Sequence, residues 1–151
     1  MSQWTHVQGI VRFDTYRLSY AELKLILRDR WGPTWTFDDP KNEPFCHAPA
    51  GSEGSIRYTI VRGGHCGSST NPEKEFQGAD IIVVGDLRDF DSPKRIMDWI
   101  RNVTSGFSVE YHTRSGLVHI DVEGGEKEIW IAEGLEGEWR MVWKEDESPE
   151  T

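Results

Sequence analysis

Only two cysteines, Cys46 and Cys66, occur in the 151 residues. Two thiols do not make the disulfide framework of a small secreted domain, so a reducing compartment is expected. Long apolar runs are missing too. Nothing approaches the ~20 residues of a membrane-spanning helix, and the N-terminal MSQWTHVQGI lacks a basic stretch followed by an apolar one. The expectation is a soluble, cytoplasmic protein with no membrane partner. Cationic excess is also absent: the net charge is −9, which argues against direct nucleic-acid binding, since that needs a basic footprint. The last eight residues, KEDESPET, hold four acids, one lysine and no apolar side chain. They read as a disordered tail (144–151) after a single domain (1–143). The remaining body is mildly acidic, as an ordinary solvated surface is, and mimicry of nucleic acid is the less economical reading.

Catalytic signatures are equally scarce. The chain has no G-x4-G-K-[ST], no G-x-S-x-G and no H-E-x-x-H, and so no motif that calls for a cofactor. A pair of H-x-[ST] motifs would mark a phosphoesterase, but here His112 is followed directly by Thr113, and His119 is followed by Ile120-Asp121. Internal repeats and low-complexity linkers are also missing.

What is present is organised around Ala79–Val103. Ile81, Ile82, Val83 and Val84 form an unbroken apolar run, expected of a central strand covered on both faces. Gly85-Asp86 then reads as a turn, and Ser92-Pro93 as an N-cap with proline at the first helical position. Ile96, Trp99, Ile100 and Val103 make one stripe of an amphipathic helix, closed by Gly106 as a C-terminal cap. Upstream, Thr5–Phe13 alternates, with Val7, Gly9, Val11 and Phe13 opposite His6, Gln8, Ile10 and Arg12. Ser19 to Glu22 has capping-box spacing ahead of Leu23, Ile26 and Leu27, and Gly32-Pro33 ends that helix. Residues 34–55 read as a long ordered loop. Ser55–Arg62 is a second strand, with Ile56, Tyr58 and Ile60 on one side, and Gly63–Gly78 is another long connection. Phe107–Thr113, Leu117–Glu123, Glu128–Ala132 and Trp139–Trp143 read as strands parted by Ser115-Gly116, Gly124-Gly125 and Glu136-Gly137. Trp139, Met141 and Trp143 fall on one face by alternation.

The order predicts an α+β fold with a ferredoxin-like split βαβ core (βαββαβ) and an added C-terminal antiparallel β-meander. Both helices should pack on one face of the sheet, leaving the other uncovered unless loops or a second subunit lie over it.

Three groups are candidates for chemistry. Cys46-His47 and His65-Cys66 are metal-ligand types, but adjacent ligands converge poorly on a tetrahedral zinc, so they are weak candidates. Asp86, Asp89 and Asp91 suit a cation less well than they suit a turn and a helix start. Gly51, Ser52, Gly54 and Ser55, with His65 and Ser68 on the next loop, flank one strand. Arg57, Arg62 and Arg88 are the nearby cations that could pair with an anionic ligand.

Three motifs carry a resemblance: W-T-H-V-x-G at Trp4–Gly9, G-S-E-G-S at Gly51–Ser55, and V-x-G-D-L-R-D-F-D at Val83–Asp91, running into Asp98-Trp99. With these the chain resembles a group of small uncharacterised proteins of tailed bacteriophages. The resemblance brings no catalytic residues. By analogy it implies a non-enzymatic binding protein that counters bacterial defence in the cytoplasm of the infected host. Its ligand would be a small nucleotide immune signal, held by the 51–55 and 63–70 loops of a homo-oligomer, or a host defence protein. Two alternatives stand beside it: a metal-assisted phosphodiesterase or nuclease, and a phage regulatory or assembly protein.

Overall fold

The computed structural model describes residues 2–15, 21–23, 25–26, 49–62, 78–105, 111–133 and 138–146. Leu27, Gly32-Pro33, the 63–77 connection and the Gly106 cap lie outside them. The protein is mostly β: one six-stranded antiparallel sheet with two short helices. The strands are β1 (Trp4–Thr15), β2 (Arg57–Arg62), β3 (Gly78–Arg88), β4 (Tyr111–Val122), β5 (Glu126–Glu133) and β6 (Glu138–Asp146). They lie in the order β2-β3-β1-β4-β5-β6. A first helix, α1, includes residues 21–23 and 25–26, and α2 spans Pro93–Thr104 between β3 and β4.

The alternation of β1 fixes the two sides of the sheet. Val7, Val11 and Phe13 are buried and face Ile81 and Val83 of β3 and Val118 and Ile120 of β4. Leu23 of α1 and the α2 stripe Ile96, Trp99, Ile100 and Val103 close the same core. Both helices therefore cover one face, as the periodicity predicts. Ser92 caps α2, its hydroxyl accepting from the Arg95 amide at 3.3 Å. The helix ends at an extended Ser105. There the Thr104 hydroxyl donates to the Ile100 carbonyl at 2.7 Å, and Thr113 of β4 donates to the Thr104 carbonyl at 3.1 Å. The Trp139 indole nitrogen also donates to the Thr104 hydroxyl, at 2.9 Å. This buried network satisfies the helix end and ties β4 and β6 to it.

Several sequence expectations need correction. β3 does not turn at Gly85-Asp86 but runs to Arg88. Nor is it covered on both faces: Ile81 and Val83 are buried while Ile82 and Val84 are exposed. The apolar run therefore serves a core on one side and an open surface on the other. Ser115-Gly116 is not a turn either; β4 passes through it, with a register shift between Arg12 and Phe13 of β1 absorbing Arg114. The tail does not begin at Lys144, because Lys144–Asp146 extend β6 against Glu126–Glu128, with Lys144 paired to Glu126 at 3.3 Å. A second register shift, between Ile129 and Trp130, leaves Val142 unpaired in β6. Trp139 and Met141 consequently face the helices, while Trp143, opposite Ile129, comes out on the other side.

Candidate functional site

Among the described residues, no element covers the face away from the helices. In β-strands every second residue points there. The residues are His6, Gln8, Ile10 and Arg12 of β1, Asp80, Ile82, Val84 and Asp86 of β3, and Leu117, His119 and Asp121 of β4. Val61, Ile129, Ile131 and Trp143 extend it across the remaining strands. Its centre carries the apolar residues Ile10, Ile82, Val84 and Leu117, and its edge strands carry Val61 and Trp143, all 39–47% exposed. Ile82, Ile10, Leu117 and Ile131 are not scattered singly but adjoin one another across four neighbouring strands. Within this face Gln8, Ile10, Leu117, His119 and Ile129 line a shallow concavity of about 370 Å³. Its polar members, Gln8 and His119, are direct cross-strand neighbours.

One end of the face is closed by His6. Its Nδ1 meets Asp86 of β3 at 2.6 Å, and its Nε2 meets Glu123, just after β4, at 2.8 Å. The hydrogen bond to Asp86, then that to Glu123, raises the His6 pKa above 6.5 against an opposing desolvation. Only the imidazolium can donate to both carboxylates at once, so the geometry favours the charged form. The bridge links three strands across chain separations of 80 and 117 residues. Alternation alone places His6 on the polar side of β1, but nothing local in the sequence names its partners.

The cations bordering the face are engaged. Arg12 pairs with Asp80 at 3.6 Å, Arg114 with Asp14 at 3.0 Å and Arg140 with Glu133 at 3.7 Å. Arg57, on the edge strand opposite Val84, also has a partner. Arg88 forms a 2.6 Å ion pair with Glu53 and donates to the Ser2 hydroxyl.

The Gly51–Ser55 segment is a clasp around β3 rather than an open cradle. Gly51 N donates to the Gly54 carbonyl at 3.1 Å, Ser52 N to the Arg88 carbonyl at 2.8 Å, and Arg88 N back to the Glu53 carbonyl at 3.0 Å. The Ser52 hydroxyl donates to Asp89 at 2.6 Å, and Ser55 bridges Ala50. Gly54 has φ +80°, and any Cβ there would run into the Asp86 carbonyl. The amides of Gly51 and Ser52 and the Arg88 guanidinium thus have partners within the fold.

Arg62 pairs through its backbone with Ala79. His65, Ser68, Cys46, His47 and Cys66 lie outside the described residues. The three aspartates separate: Asp86 goes to His6, Asp89 to Ser52, and Asp91 is exposed. Among the described residues no group of three or more His, Cys, Asp or Glu is arranged to hold a metal ion, and no helix is long and apolar enough to cross a membrane.

Fold and surface together define a sheet protein with one helix-covered face and one open, apolar-centred face. No protein-family model, curated protein or solved structure matches the chain.

Proposed function

We propose that the chain is a phage-encoded, non-enzymatic binding protein that counters a bacterial defence in the host cytoplasm by holding a host defence protein on the open face of its sheet. One observation carries this choice over the nucleotide signal: the centre of the face is apolar, and among the described residues its bordering cations are already engaged. An anionic ligand needs uncommitted cations or amides, whereas the buried core of a protein interface is apolar and depleted of charge. The phage origin rests on the resemblance of the three sequence motifs.

We further read the first four strands as a ferredoxin-like core. The neighbour order β4-β1-β3-β2 supports it, as do two parallel pairs, β1 with β2 and β3 with β4, each split by one antiparallel strand.

The test is phage plating on bacteria whose defence system blocks a test phage, with the chain supplied from a plasmid. Plating should be restored by the wild type and lost with Ile82→Glu plus Leu117→Glu. A double variant that restores plating as well as the wild type refutes the assignment to this face. If deletion from the phage instead impairs growth on defence-free hosts, the regulatory or assembly reading replaces it.

A further inference from the structure

We propose that, in the absence of the host partner, the open face is occupied by a second copy of this chain, so that a self-limiting dimer holds the docking surface until the partner displaces it. The regulatory half of this statement rests on the reading of the face given above; the dimer itself does not.

The first argument is extent. Exposed or half-buried apolar residues occur on this face of all six strands: Val61, Ile82, Ile10, Leu117, Ile131 and Trp143 mark them in order across the sheet. Six strands about 4.8 Å apart span about 25 Å, and about eight residues of strand span about 26 Å. The face therefore presents about 650 Å² in projection, close to the ~800 Å² per partner of a standard stable interface. Two sheets pack face to face about 10 Å apart with strands within about 30° of each other, and the twist of an open antiparallel sheet suits that arrangement.

The second argument is charge. A chain of net charge −9 should repel its own copy, yet the acids of this face sit towards its ends, Asp86, Asp121 and Glu123 around His6 and Asp14 and Asp80 at the other end, and not at its apolar centre. Arg12–Asp80, Arg114–Asp14 and Arg140–Glu133 are closed ion pairs, and His6 lies between the acids at the opposite end. A neutral apolar centre with internally paired borders can meet itself across a two-fold axis without opposing like charges at its core. Elsewhere among the described residues the large exposed hydrophobics are fewer and separated: Leu25 on α1, and Met141 and Val142 on β6.

The experiment is sedimentation velocity on the full chain from low micromolar to sub-millimolar concentration. The wild type should shift from 17.3 kDa towards twice that mass. Ile82→Glu with Leu117→Glu should remain at 17.3 kDa throughout, while Leu25→Glu should dimerise like the wild type. Cooperative unfolding followed by tryptophan fluorescence verifies each fold. Should the double variant fail to fold, Trp143→Glu at the edge of the face provides the same comparison. A wild type that stays at 17.3 kDa at every concentration overturns the dimer and leaves the docking reading standing. A folded face variant that dimerises like the wild type places the interface elsewhere and also overturns it. A monomeric double variant that still restores plating overturns the docking reading alone.

Discussion

The Trp139 indole of β6 reaches over Ala132 of β5 and lies on Gly116 of β4, two strands away. A Cβ built on Gly116 would sit against the ring, 2.8 Å from its Cζ2. The absence of a side chain at 116 is therefore what lets Trp139 of β6 lie over β4 and reach Thr104 at the end of α2. Gly116→Ala should destabilise the protein by about 1–3 kcal/mol through overpacking, measured by urea unfolding. Gly124→Ala, at a turn with open space around it but φ +68°, should cost less, about 1 kcal/mol.

The same tryptophan supports a second prediction. Trp139→Phe removes the donor to Thr104 and also withdraws the part of the ring that lies on Gly116. The Thr104 hydroxyl retains its bond to Ile100, so the network does not collapse, but the lost donor and the lost packing together should cost about 2–4 kcal/mol. Near-ultraviolet circular dichroism and urea unfolding check it.

At the opposite end of the sheet the buried Thr5 hydroxyl donates to the Phe90 carbonyl, holding the turn that leads from β3 into α2. Thr5→Val leaves that carbonyl without its donor in the core. It should cost about 1–3 kcal/mol, read as a lowered unfolding midpoint.

His6 gives a pH dependence of defined sign. Its folded pKa lies above the unfolded value, because Asp86 and Glu123 bind the imidazolium. Its contribution is complete below about pH 6.5 and is lost as pH rises through the raised folded value. The bridge is substantially exposed, so the effect is small. The difference in melting temperature between wild type and His6→Gln should shrink as pH rises from 6 to about 9; a difference that grows would contradict the assignment.

Legibility in the sequence followed the range of the physics involved. Local devices were readable: the alternation of Val7, Val11 and Phe13, the Ser92-Pro93 start, the Ile96–Val103 stripe and the Gly124-Gly125 turn all appear where their patterns place them. Glycines misled where their cause was distant. Gly116 looked like a turn because Trp139 is not nearby in the chain, and Gly85 because the close approach of Ile56 cannot be read locally. In the G-S-E-G-S motif, Gly54 lets the chain pass the Asp86 carbonyl, a close approach that the local sequence does not announce. The unpaired Val142 broke the alternation that put Trp143 beside Trp139. The open face itself was expected from two helices on one side of the sheet; the His6 bridge needed three-dimensional contacts between remote residues.

The central claim is that the open face docks a protein. Native mass spectrometry tests it most directly, on the wild type and on Ile82→Glu with Leu117→Glu, both purified without chelator from bacteria carrying the blocked defence system. The account predicts a wild-type complex with one host protein that is absent from the variant. A nucleotide-sized adduct or stoichiometric zinc on both proteins, with no host protein on either, would contradict it.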